Sequence, residues 1–151
     1  MRSLFPLATV ALLLASVALS QQPADSKKPA RPNLCPNAST TLEINECLAD
    51  LQHKADASLN ALYQKIQKAI RERVAQEQGS LKGYGERSLE KLRVAEAAWI
   101  HYRDAQCDAA EQQFEGGTIS TSVRLGCVKD LDEQRTRELE ETYAIYLRGT
   151  P

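Results

Sequence analysis

The run "LEINECLADLQHKADASLNALYQKIQKAIRERV", Leu42 to Val74, decides the fold. Ile44, Leu48, Leu51, Ala55, Leu59, Leu62, Ile66 and Ile70 recur along it at three- and four-residue steps, with no Gly or Pro between them. That period belongs to one long amphipathic helix with a continuous apolar face. Just ahead of it, Thr40 and Glu43 have capping-box spacing, which puts a hydroxyl and a carboxylate where the first backbone amides need acceptors.

Working outward, Gly79, Gly83 and Gly85 of "QGSLKGYGERS" stop the pattern, and it resumes with Leu89, Leu92, Ala95, Trp99, Tyr102 and Cys107 on one side of a second helix. That helix is expected to end near Phe114, before Gly116-Gly117. A third runs from about Ser120 to a fraying end at Gly149, with Leu125, Val128, Leu131, Leu139 and Tyr143 inside, followed by Tyr146 or Leu147. No segment of this part reads as a strand. The expectation is an all-α fold, a small antiparallel three-helix bundle.

The opening "MRSLFPLATVALLLASVALSQQ" has one arginine, an apolar run from Leu4 to Leu19 and a small-x-small step before Ser20. This is the pattern of a signal peptide over 1–20. The alternative, a membrane anchor, needs about 20 apolar residues, more than this run supplies. No cysteine near the cut offers lipid attachment, so no stable membrane anchor is expected. Residues 21–33, rich in proline, lysine and small polar side chains, read as a disordered linker. That leaves 34–148 as one domain with room for one core.

The formal net charge of the chain is -1, and removing Arg2 with the leader makes it -2. A nearly neutral domain with interleaved charges lacks the electrostatic footprint of a nucleic-acid binder. All four cysteines, Cys35, Cys47, Cys107 and Cys127, fall in the domain. In an oxidising compartment an even count means disulfides, and the spacings do not match a zinc site. Neither metal nor cofactor is expected. Cys107 and Cys127 stand about equally far either side of Gly117, so they come level when the second and third helices fold antiparallel. Cys35–Cys47 is then the other bridge, and this pairing is preferred. Cys47–Cys107 stays open as a rival, because the start of the first helix and the end of the second share one end of the bundle.

In "AEAAWIHYRDAQC", Ala95 to Cys107, Trp99 and Tyr102 are expected to pack while Arg103 and Asp104 bond at the core edge to Asp56, Asn60 or Arg135. The alternative gives Glu96, Asp104 or His101 a chemical role. However, Glu96 and Asp104 are eight residues apart, about 12 Å along a helix, too far for a cooperating acid and base. No nucleophile elbow, zinc-protease or phosphate-loop motif is present, and no enzyme activity is expected.

Three blocks, "CPNASTTLEINECLADLQHKADASLNALYQKI", "AEAAWIHYRDAQC" and "GGTISTSVRLGCVKDLDEQRTREL", together resemble the LprI-like lysozyme inhibitor family. The specific elements are the four cysteines, the N-x-C approach to Cys47, D-x-x-L-N-x-x-Y from Asp56 to Tyr63, and R-x-x-E-L from Arg135 to Leu139. Glu96 and Asp132 stand where glutamine and threonine are usual in that family. The resemblance implies a secreted or periplasmic protein whose partner is a lysozyme. An inhibitor of such an enzyme needs a loop that presents a cation or hydroxyl to the paired carboxylates of the cleft. Lys82, Tyr84 and Arg87 form the expected contact, and Thr118 and Ser120 lie on a second loop. The alternative is an envelope interaction or immunity-type protein that binds another secreted protein and has no part in cell-wall digestion.

Overall fold

The computed structural model describes residues 33–75 and 82–148. The expected leader, nearly all of the linker, Gly79 and Gly149 lie outside the described residues. The order is α1 (Thr41–Val74), α2 (Tyr84–Gln112), α3 (Ser120–Thr142) and a single-turn α4 (Ala144–Leu147). The described part is all-α.

α1 begins where the sequence marks it. The Glu43 amide donates to Thr40 Oγ1 at 3.2 Å, and Glu43 Oε2 accepts from the amides of Thr40 and Ser39 at 3.0 and 2.7 Å. These bonds satisfy amides that a helix start leaves orphaned, and the Ser39 amide foremost holds the Glu43 carboxyl below its ordinary range. Leu48, Ala55, Leu59, Ile66 and Ile70 then form the buried face.

α2 runs back along α1 and α3 runs back along α2, so α1 and α3 point the same way. Their register is fixed where Ser122 Oγ donates to Asn45 Oδ1 at 2.5 Å. Three layers follow along the bundle. Leu59, Ile66, Ile70, Leu92 and Leu139 form the apolar core, toward the end where α1 stops and α2 starts. Burying each such side chain stabilises by roughly 1.5–3 kcal/mol. A belt of charged side chains occupies the middle. The far end holds both disulfides, Cys35–Cys47 and Cys107–Cys127, with Cα separations of 6.1 and 5.5 Å. The preferred pairing is the one formed, and Cys47–Cys107 is not.

Two expectations are corrected. The third helix is interrupted at Tyr143 (φ -105°, ψ 17°), and α4 packs against α1. There the Arg73 guanidinium lies 5.3 Å from the Tyr146 ring centroid. The inner stripe of α2 is also rotated by about one residue. Tyr102 is 55% exposed and Ala95 is exposed, while Glu96 and Cys107 are buried and Arg103 is partly so. Two charged residues therefore take interior positions on which the apolar pattern had placed a tyrosine and an alanine.

Candidate functional site

The interior belt is built around Trp99, at the level where α2 passes both neighbouring helices. Arg103, one turn further along α2, donates from Nε to Asp104 and from Nη1 to Asp132 Oδ1, each at 2.9 Å. Asp56 of α1 lies 3.7 Å from the same guanidinium and accepts from Asn60 Nδ2 at 3.0 Å. Arg135 of α3 reaches the other way, donating from Nε and Nη2 to Glu96 Oε2 at 3.1 and 3.0 Å, with Glu138 at 3.4 Å. Both guanidiniums stand over the Trp99 ring, 5.5 and 5.6 Å from its centroid. The planar, permanently charged arginine head suits such a position because it stacks and forks at once.

Asp132 is fully buried, and its Oδ2 has no hydrogen-bond partner among the described residues. Burial pushes its carboxyl above the ordinary range. The Arg103 bond opposes that shift, and the nearby Asp56 and Asp104 charges add to it. Burial works against the charge of Arg103 as well, yet its bonds to Asp132 and Asp104 hold the guanidinium above its ordinary value. Lys129 is treated alike: burial opposes its charge, but Glu133 at 2.8 Å and Asp130 at 3.4 Å hold it charged.

The belt brings Asp56, Asn60, Trp99, Arg103, Asp104 and Arg135 into one layer and leaves Tyr102 outside it. Arg135 pairs with Glu96 and does not serve Arg103 or Asp104. Asp132 and Glu96 are the residues that sequence reasoning did not place as anchors. Their signal was present in the heptad spacing, since Glu96 and Arg103 lie seven residues apart, as do Asp132 and Leu139, on the inner faces. Chemically the belt is a set of paired charges in which each arginine is shared by more than one carboxylate. Glu96 and Asp104 are each committed to an arginine, and the described residues hold no cluster of three or more His, Cys, Asp or Glu able to bind a metal. What the belt can do is hold three helices in register.

The expected contact residues divide between the two ends. Lys82 is exposed on the turn before α2, Tyr84 is 54% exposed at its first position, and Arg87 is exposed one turn in. Gly83 makes the turn with φ 78°, a backbone state that a side chain resists. Arg71 and Arg73, both exposed, add charge to the same end from the last turn of α1. Thr118 is exposed at the opposite end. The 29 residues of α2 separate it from Lys82 by about 40 Å, so the two loops do not form one site. At the same end of the bundle Leu42, Phe114 and Ile119 are exposed by 67, 41 and 48%. Between α1 and α3, Leu51 and Ala55 floor a groove of about 320 Å³ whose walls include Lys54, Glu133 and Arg137.

A short all-α domain, stapled at one end by two disulfides and registered by an internal ion network, is the class of protein that fold and site define. The model of the family described as Lysozyme inhibitor LprI matches residues 35–139, and the chain belongs to that family. It is also 31% identical over 141 residues to an uncharacterised protein of Rhizobium meliloti (strain 1021), an alignment covering 93% of this chain and 95% of the relative. No solved structure matches it. The family and the disulfides together point to an extracellular or periplasmic setting. No helix among the described residues is long and apolar enough to cross a membrane.

Proposed function

We propose that this protein is secreted or periplasmic and inhibits a lysozyme, with the turn before α2 entering the acidic cleft of the enzyme. Lys82, Tyr84 and Arg87 make the contact, and membership of the family over residues 35–139 is the observation that carries the reading. The chemistry is consistent with it. A muramidase cleft holds two carboxylates, and a cation that replaces substrate there gains a charge-assisted hydrogen bond in a partly water-excluded place. Tyr84 supplies rigid apolar area with a polar tip, the kind of side chain that anchors interfaces. Arg71 and Arg73 on the same end would speed the encounter with an acidic cleft. A second reading, an envelope protein that binds another secreted protein, draws on the exposed Leu42, Phe114 and Ile119 at the other end.

A turbidity assay of cell-wall digestion by c-type, g-type and bacterial muramidases, with oxidised and reduced protein, separates the two. Inhibition lost on reduction and lost in Lys82→Ala/Arg87→Ala supports the cationic turn. Inhibition that survives the double substitution removes that turn from the contact. No inhibition of any enzyme favours the second reading.

A further inference from the structure

One exposed stripe of α2 is apolar, flanked by the exposed polar side chains of His101 and Gln106. Ala95, Ala98, Tyr102, Ala105 and Ala109 form one exposed stripe at three- and four-residue steps, with Val94 beside it. The two large members are far from covered, Tyr102 at 55% and Val94 at 50% exposure. From Val94 to Ala109, about 24 Å of helix, no Asp, Glu, Lys or Arg falls on this stripe. The inner face of the same helix meanwhile carries Glu96 and Arg103. A helix with solvent on that side would ordinarily reverse this distribution.

We propose that this face pairs with the same face of a second copy of the chain, the two α2 helices running antiparallel about a two-fold axis that passes between Ala98 and Tyr102. The charges at the margins of the stripe select this partner and direction. Lys91 lies at its N-terminal end and Asp108 flanks its C-terminal end, both exposed. With the crossing midway between Ala98 and Tyr102, each Lys91 comes within about one helical step of the Asp108 of the other copy, and the symmetry makes the pair twice. A parallel arrangement would set Lys91 against Lys91. Asp108 already accepts from Arg124 at 2.9 Å, yet its side chain is 62% exposed and has room for a second cation. At the centre, Ala98 leaves space for Tyr102 of the opposing copy, and small side chains at Ala95 and Ala105 let the axes approach closely. One helix against one helix covers less than the roughly 800 Å² per partner of a standard interface. The dimer is therefore weak and concentration-dependent.

Sedimentation equilibrium of the purified, oxidised protein from about 10 µM to about 1 mM tests this, that range bracketing the affinity of so small an interface. The expected result is a monomer–dimer equilibrium whose Kd rises at least about ten-fold in Ala98→Glu, with circular dichroism and Tm unchanged. Tyr102→Lys, on the same exposed stripe, is the second variant should Ala98→Glu disturb folding. Lys91→Glu and Asp108→Lys should each weaken pairing, and the double variant should recover the wild-type Kd to within about three-fold, as a coupled pair does. A protein that stays monomeric throughout overturns the proposal. So does a dimer indifferent to Ala98→Glu, or a charge swap that restores nothing. A monomer that needs Ala98 to bind a lysozyme would also overturn it, because the face would then belong to a different partner.

Discussion

Removing the Cys107–Cys127 bridge gives the sharpest test of what holds this bundle together. The bridge closes a loop with a sequence separation of 20, and Cys107 is fully buried. Loop-closure entropy for that length makes the bond worth about 3.3 kcal/mol through the unfolded chain. Cys35–Cys47, with a separation of 12, comes to about 2.8 kcal/mol on the same footing. Together they come to about 6 kcal/mol, more than the roughly 5 kcal/mol at the low end of the whole stability of an ordinary domain. Cys107→Ala/Cys127→Ala should therefore lower the urea-unfolding free energy by about 3 kcal/mol and Tm by roughly 10–15 °C. Far-UV circular dichroism in urea, on both double variants, measures it. The reasoning predicts near-equal losses, since the two loop lengths differ by a term of only about 0.5 kcal/mol. A loss below about 1 kcal/mol for Cys107→Ala/Cys127→Ala would refute it, because chain entropy would then not be the way this bond acts.

Other outcomes follow from the belt and the cap. The folded-state pKa of Asp132 is raised by burial, so the folded protein takes up this proton before the unfolded chain does. Stability from this group is then complete below the ordinary carboxyl value and lost as pH rises through the raised one. Against Asp132→Asn, the wild type should gain relative Tm between about pH 7 and about pH 4, and a constant difference by calorimetry would contradict this. Glu96→Ala strands the partly buried Arg135 and should cost about 2–3 kcal/mol in chemical denaturation, whereas Glu96→Gln keeps an acceptor and should cost under about 1.5 kcal/mol. Thr40→Ala removes the hydroxyl that caps α1 and should cost about 1 kcal/mol by the same measurement.

Where apolar side chains alone decide burial, the sequence could be read directly. α1 begins and ends where its period and its Thr40 cap put it, and the spacing of Cys107 and Cys127 about Gly117 picked their bond. α2 was misread because apolar character and position disagree there. Tyr102 looks like a core residue and Arg103 does not, yet Arg103 turns inward since Asp132 and Asp56 wait on the other two helices. A pairing across three helices is a tertiary property that no single helical period displays. Lys82 is legible as exposed for the opposite reason, since glycine breaks the helical pattern there, whereas Tyr84 and Arg87, read as loop residues, stand exposed in the first turn of α2. Which end of the bundle meets a partner depends on the shape of that partner, and no residue of this chain encodes it alone.

Both staples lie at one end of a bundle whose α2 alone is about 40 Å long, and their absence from the other end has a dynamic consequence. Covalent ties hold one end and the apolar core, with Val74, Leu89 and Leu147 packed on it, holds the other, so amide exchange should be fastest at the helix ends that neither secures. Amides beside Cys107 and Cys127 should exchange only through global unfolding, and those of α4 and the first turn of α2 through fraying. The turn bearing Lys82 thus stands beside the helix ends that fray. A partner gripping it would draw down that fraying, and slower exchange in the neighbouring α4 would be the mark of the grip.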